Sequence, residues 1–448
     1  MSVIGLDDRY LISIDFLIEQ PNKEQEDTQV FQTVATELSN MTLSSLKNLI
    51  ANTSQATLLN GFENFQAANI WQMKDLMLSS SFTSIMETCV SALSTKIRSS
   101  IKPEKTYNSL GINIKESDFI EFTLQENIGL TLPMFRLVIM IHDKSLLKYI
   151  NSSTKIKFSF GENTSSLTTF NAAVYNVVPQ DLEDKISLTI HGVLDAGSYL
   201  SESKRIEQTG SSLDILDLLL PQYNLKLNTN ISQTDDYMAW KQYNISPALF
   251  FADLWLHSYI NMFHQTCTSI TSTGKFNFID IQKMRDEGIK QFVLHDKLYF
   301  KPDAIYSIFG SMNKTKFIYD VNNDCMTQLL LNDTEGLVKT KVNPQLSGDY
   351  SSSYSILTPD VHKHWYEAAM LNKSRLYSCI NQNAWTSMFG HWESYNVTDV
   401  VATQSTYSED CGKYLILGKL LSITDRDFST YVQLGRTTYS QSTGNFNA

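Results

Sequence analysis

The chain has 448 residues, 42% hydrophobic and 19% charged, with 36 Lys and Arg against 47 Asp and Glu and a formal net charge of -11. That length predicts roughly two to four domains around a sizeable core, and the acidic balance argues against a protein that grips nucleic acid, which needs a basic face. Low charge combined with 21 Tyr and 23 Phe fits surfaces covered by neighbouring subunits, and equally a monomer with an aromatic-rich core.

Tyr10–Phe16 (YLISIDF) reads as an opening strand, stopped by the polar segment Gln20–Asp27 with its Pro21. From Thr28 to Ile101 apolar residues recur at helical spacing, first Val30, Phe31, Val34 and Leu38, later Ile85, Cys89 and Leu93. Gly61 is the one glycine in this window and no proline occurs before Pro103, so three or four amphipathic helices are predicted. At Asp118–Ile141 the pattern becomes that of strands. Ile120, Phe122 and Leu124 alternate with Glu121, Thr123 and Gln125, then Gly129 and Pro133 break the run before Phe135–Ile141. Further strands are predicted at Lys155–Phe160, Ala173–Val178 and Ile186–His191.

Beyond a linker at Gly197–Arg205, a helix runs over Leu213–Leu220, capped by Ser211 or Ser212 and ended by Pro221. A second has Ser246 at its cap and Pro247 in its first turn, and Lys275–Ile281 is a strand. Alternation returns at Ala304–Phe309 and Thr315–Tyr319, followed by a loop-rich Asn332–Tyr354 and a helical stretch over His362–Phe389, with Trp365, Ala368, Leu371, Leu376 and Ile380 along it. Val397–Ala402 and Tyr414–Leu421 are strands. A polar turn at Asp425–Asp427 then leads into Thr430–Leu434, which makes a closing hairpin.

The strand succession that begins at Asp118–Ile141 resembles the first barrel domain of the baseplate hub proteins of phage tails, a family similar to the hub part of type VI secretion spike proteins. The order helix Leu213–Leu220, polar segment with Trp240, helix Pro247–Tyr259, strand Phe276–Ile281 is similar to the family's middle domain. The final strand pair resembles the end of its second barrel. The resemblance spans roughly residues 110–435 as order and local pattern, without a signature motif. The helical stretch 28–101 is not part of the common hub core.

The resemblance implies an α+β, mainly β fold: two small antiparallel β-barrel domains joined by an α/β domain, with an N-terminal helical insertion. Its expected divisions are an opening strand of the first barrel (1–20), a helical insertion or arm (21–105), the first barrel (106–200), the middle α/β domain (201–300), a second barrel with a late helix (301–435) and a polar tail (436–448). It further implies a homotrimer whose two barrels per chain form a pseudo-sixfold ring, joining a tail tube or tape-measure protein to a central spike and lining a DNA channel. DNA would pass without specific binding. No cofactor, membrane insertion or enzymatic activity is expected, and the place of action is the virion tail after synthesis in the host cytoplasm. Phe119, Phe122 and Leu124 on one strand, and Tyr431, Val432 and Leu434 on another, are the candidates for inter-subunit edge pairing, with ordinary pairing inside one barrel as the alternative. A tail-associated cell-wall hydrolase, or the hub of a bacterial contractile secretion system, is the competing reading.

Motifs for chemistry are sparse. Cys89, Cys267, Cys325, Cys379 and Cys411 lie far apart and read as free thiols of a reducing cytosol. The N-terminus lacks a signal-peptide pattern and no apolar run approaches the ~20 residues that span a bilayer, so a soluble cytoplasmic product is expected. His362 and His364, with Glu367 near and His391 and Glu393 further on, form the one metal-like grouping, but i and i+2 on a helix face apart. They read as surface or interface histidines. The acidic pairs Asp235–Asp236 and Glu116–Asp118 sit beside strands, where caps and solvated acids are common. GxSxG, P-loop and GxGxxG motifs are absent.

Overall fold

The computed structural model describes residues 2–6, 10–20, 106–112, 114–152, 154–162, 167–182, 185–201, 204–286, 290–293, 299–300, 314–332, 336–342, 354–376, 380–386, 392, 396–401, 411–424 and 427–436. The helices expected within 28–101, the strand expected at 304–309 and the tail beyond residue 436 lie outside these. Met1–Leu17 with Ser109–Ala448 makes one compact unit and Ile18–Asn108 another. The side-chain architecture that follows belongs to the first. Among the described residues no helix is long and apolar enough to cross a membrane.

The fold is mainly β, built on a curled half-barrel sheet. Its first strands are β1 (Ser2–Leu6), β2 (Tyr10–Gln20), β3 (Thr106–Ser109), β4 (Phe119–Asn127), β5 (Met134–Ile141), β6 (Lys155–Gly161), β7 (Thr168–Leu182) and β8 (Lys185–Leu194). β8 shows how the pattern makes the strand. Ile186, Leu188, Ile190 and Leu194 are buried, while Lys185, Ser187, Thr189 and His191 alternate to the other face. Phe122, Phe135, Phe158 and Phe170 meet beneath the sheet, with the Phe122 and Phe158 rings 4.6 Å apart and Phe135 and Phe158 4.9 Å apart. Each buried ring contributes roughly 1.5–3 kcal/mol by leaving water. Phe135 fits because residue 192 is glycine: a Cβ there would collide with the Phe135 ring and the Ala173 carbonyl.

The middle region holds β9 (Lys204–Gly210), α1 (Ser212–Leu219), β10 (Lys226–Thr229), β11 (Met238–Ile245), α2 (Pro247–His257), β12 (Thr266–Ile270), β13 (Lys275–Asp280) and α3 (Ile281–Asp286). Ser211 and Asp214 form a capping box on α1, and Ser246 accepts from the Leu249 N–H to cap α2. β9 pairs with β11, and β10, β13 and β12 make a separate three-stranded sheet. Phe250, Phe251 and Leu254 of α2 press this region into the same core as the curled sheet.

Then come β14 (Lys290–Val293), β15 (Tyr299–Phe300), β16 (Lys314–Asp320), β17 (Cys325–Asn332), β18 (Gly336–Val342), β19 (Tyr354–Leu357), α4 (Trp365–Leu376), β20 (Ile380–Thr386), β21 (Val397–Val401), β22 (Gly412–Thr424) and β23 (Phe428–Arg436). The large sheet runs β1-β2-β6-β7-β8-β5-β4-β22-β23-β20-β15. Strands near both ends of the chain therefore share one sheet, joined where β4 pairs antiparallel with β22.

Two expectations need correction here. The strand around Thr315–Tyr319 forms, but in a separate four-stranded sheet, β18-β17-β16-β19, and not with β22 and β23. Its inward residues Ile318, Leu329, Leu337 and Leu357 pack against Ala368, Met370 and Leu371 of α4 and against Tyr259. The helix expected over His362–Phe389 is also shorter than that span. It stops by Leu376, and Ile380–Thr386 becomes a strand because β23 pairs with it along its whole length. Tertiary pairing decides the state of that segment.

Candidate functional site

The six edge-pairing candidates do not lie on edges. β4 is hydrogen-bonded to β5 on one side and β22 on the other, and β23 lies between β22 and β20. Phe119, Phe122, Leu124, Val432 and Leu434 are buried and Tyr431 is half-buried. Alternation shows that a strand has a dry face, but says nothing about who sits beside it. The structure does bring the two groups close together, as the two neighbours of β22: Ile423 is opposite both Phe122 and Phe428, and Leu421 is opposite both Leu124 and Thr430.

The β4–β22 seam carries a deeply buried ion pair. Glu126 is 1% exposed. One carboxylate oxygen accepts from the Ser272 N–H at 2.8 Å, and the other lies 3.0 Å from the Lys419 ammonium. On one side of this pair is the core containing Phe122 and Leu124, on the other the smaller cluster of Ala384, Tyr414, Ile416, Val432 and Leu434.

Next to the seam, β22 bulges between Ile416 and Gly418. A hollow of about 210 Å3 opens there, lined by Gln125, Asn127, Asn383, Gly418, Tyr431 and Gln433 among others. Gly418 is its floor. A Cβ at that position would lie 2.5 Å from Asn127 Oδ1 and 3.1 Å from the Glu126 carbonyl oxygen. An isolated glycine inside the apolar run YLILGKLL signals a bulge or close approach, so this feature could have been found from sequence.

The histidine grouping is a fastening between α4 and the middle region. The His257 ring stacks on Trp365 at 3.3 Å and its Nδ1 donates to the Trp365 carbonyl at 3.0 Å. His362 Nε2 donates to the His257 carbonyl at 2.8 Å, and its Nδ1 accepts from the His364 N–H at 3.2 Å. His364 stacks on Tyr259 and bridges Glu367 and Asp235. Burial pushes His257 down to about 4 and lowers His362, so both are neutral near pH 7, and the bond that His362 Nδ1 accepts requires this of His362. Burial alone would raise Glu367 and Asp235. Hydrogen bonds from His364 and Lys339, and from Lys363 and His364, outweigh it and hold both carboxyls below their ordinary range.

The other acidic candidates are structural as well. Asp236, fully buried, accepts from the N–H and hydroxyl of Ser212, the Thr234 hydroxyl and the Tyr259 N–H. Asp118 meets His142 at 3.0 Å. Among the described residues no group of three or more His, Cys, Asp or Glu could hold a metal ion. His391 and Glu393 lie outside them, as do Cys89 and Cys379.

No protein-family profile matches the sequence, and no curated protein matches it. The structural neighbours are phage tail proteins and type VI secretion proteins. A 43 kDa tail protein of prophage MuSo2 from Shewanella oneidensis superposes with a TM-score of 0.46 at 12% identity, over 70% of this chain and 93% of that one. A tail protein from Neisseria meningitidis gives 0.47 at 8% identity, over 74% and 94%. An Escherichia coli component of the type VI secretion system gives 0.42 at 11% identity, over 73% and 75%.

Proposed function

We propose that the chain is a structural hub of a phage tail, acting as a homotrimeric ring that links the tail tube to a central spike and surrounds the passage for DNA. The open sheet carries this reading. It runs continuously from β1 to β15, and among the described residues neither terminal strand has a partner on its outer side. An open edge is completed when another chain adds to it, and a head-to-tail contact whose rotation closes produces a ring.

In this reading the strands up to β8 supply one barrel-like half. β20, β22 and β23 supply the other, in place of the broader 301–435 division. Three chains then present six halves, so a threefold spike can meet a sixfold tube. The acidic balance of the chain, -11 overall, suits a passage through which DNA slides without being held. The role is structural and not catalytic, it uses no cofactor, and it belongs to the virion tail.

Light scattering across a concentration series tests this. A stable species of three chains is the expected result, and variants that place proline in β1 or β15 should lower its mass. A chain that stays monomeric at every concentration overturns the self-assembled ring.

A further inference from the structure

The hollow above Gly418 is lined by side chains of β4, β20, β22 and β23, and its chemistry points to a ligand of its own. Four side-chain carboxamides, Gln125, Asn127, Asn383 and Gln433, surround it. Registers place them in two neighbouring rows on the sheet face turned away from the core, Asn383–Gln433–Gly418–Asn127 and Trp385–Tyr431–Leu420–Gln125. None of the four makes a side-chain hydrogen bond to any described residue. Among the described residues the one charged group at the rim, Lys419, is already engaged by Glu126 on the core side.

From this arrangement we infer that the hollow is a binding site for a neutral saccharide. A carboxamide both donates and accepts, so four of them around one hollow match the adjoining hydroxyls of a sugar ring, each of which also does both. Tyr431 and Trp385, adjacent in one row, offer aromatic surface beside the amides for the C–H face of the ring. A phosphate or carboxylate ligand would find no free cation among the described residues of the lining, and an apolar ligand would bury the amides unpaired. At about 210 Å3 the hollow is smaller than the roughly 300–1,000 Å3 of sites for larger ligands, which fits one sugar unit of a chain lying across the sheet.

Two glycan sources share this chemistry: polymers of N-acetylated amino sugars, as in cell walls, and polymers of plain hexoses. The test titrates the full-length chain with chitotetraose and, separately, with maltotetraose, following tryptophan fluorescence and calorimetry. Saturable binding of either is the expected result, and the arm that binds names the source. Gln433→Ala and Asn383→Ala, at exposed positions that leave the backbone pairing intact, should each weaken binding at least tenfold. Gly418→Val should abolish it by filling the floor, and circular dichroism checks that this variant still folds. Absence of saturable binding in both arms overturns the inference, as does binding that the Gln433 and Asn383 variants leave unchanged. Because binding is read on the chain whatever its oligomeric state, neither result bears on the ring.

Discussion

Asn372, in the middle of α4, donates its side-chain amide to the carbonyl of Ser258 at 2.8 Å, across 114 residues of sequence. The same amide reaches the carbonyls of Trp255 at 3.0 Å and Leu256 at 3.3 Å, and its oxygen accepts from the N–H and hydroxyl of Thr266. The last carbonyls of a helix have no partner within it. Here α4 provides a donor for the Leu256 and Ser258 carbonyls at the end of α2, adds to the Ser258 N–H and hydroxyl already on the Trp255 carbonyl, and joins that end to the start of β12. One residue thereby ties the late helix to the middle region.

Asn372→Ala removes the donor for the Leu256 and Ser258 carbonyls and the acceptor for the Thr266 N–H, in buried or half-buried surroundings, while the Trp255 carbonyl keeps the Ser258 N–H and hydroxyl. Each group stranded without a partner costs about 1–3 kcal/mol, so a loss of about 3 kcal/mol or more is expected for the α2–α4 contact. Amide hydrogen exchange should show protection falling in the final turn of α2 and along α4 while β4, β5 and β8 keep theirs. Equal loss everywhere, or none, would contradict a local clasp.

Acid should loosen the same contact, and the sign follows from the histidines. His257 titrates near 4 in the folded chain against about 6.5 when unfolded. The unfolded state therefore binds more protons between those values. The stability that neutral His257 contributes is fully present above about 6.5 and is lost as pH falls toward 4, by at most about 3 kcal/mol. His362, also lowered by burial, acts in the same direction. Glu367 and Asp235, held below their ordinary range, add further losses once pH drops through their folded values. Asp253, raised by burial, opposes them. Fluorescence of Trp365 and Trp240, followed through this window, should change in the native chain. In His257→Gln, which cannot take up that proton, the change should be smaller. An identical profile in both would rule out His257 as the titrating group.

Local structure was legible where a short-range rule operates. The alternation of Ile186, Leu188 and Ile190, the Ser211–Asp214 box and the Ser246–Pro247 start each use information within a few residues. The β4–β22 pairing was not legible, because Leu124 and Leu421 carry only the message that one face of each strand is dry. The choice between edge and interior for β4 and β23 is open in the sequence for the same reason, and the structure gives each strand two neighbours. Asn372 left a faint signal: asparagine is disfavoured inside a helix unless its side chain has a task. Sequence could show that a task existed, but the α2 end that it serves lies more than a hundred residues away.

Gly192 tests the packing of the phenylalanine cluster. Its missing Cβ leaves the space taken by the Phe135 ring and the Ala173 carbonyl. A ring can turn, but a backbone carbonyl within a paired strand cannot move without breaking the β7–β8 ladder. Gly192→Ala should therefore cost about 3 kcal/mol, the upper end for overpacking. Thermal unfolding is the readout, and Gly129→Ala is its contrast, since nothing lies within 4 Å of a Cβ there and only the φ of +97 resists it. A Gly192→Ala protein as stable as the native chain would mean the cluster is looser than its ring distances imply.

The seam predicts an asymmetry between the two partners of its ion pair. Lys419→Met leaves the Glu126 carboxylate, 1% exposed, with the Ser272 N–H as its remaining ligand. An uncompensated buried charge costs about 3–5 kcal/mol. Glu126→Gln keeps an oxygen for Ser272, and Lys419, whose side chain is 20% exposed, can turn its ammonium toward water, so the loss should stay near 1–2 kcal/mol. In the double variant the charge that made Lys419→Met costly is gone, and its destabilisation should fall below the sum of the two single changes. A double-mutant cycle in urea measures all three. Glu126→Gln proving as damaging as Lys419→Met would mean the lysine, not the carboxylate, is the group that cannot leave the interior, and the seam would then be held by packing around its aliphatic stem.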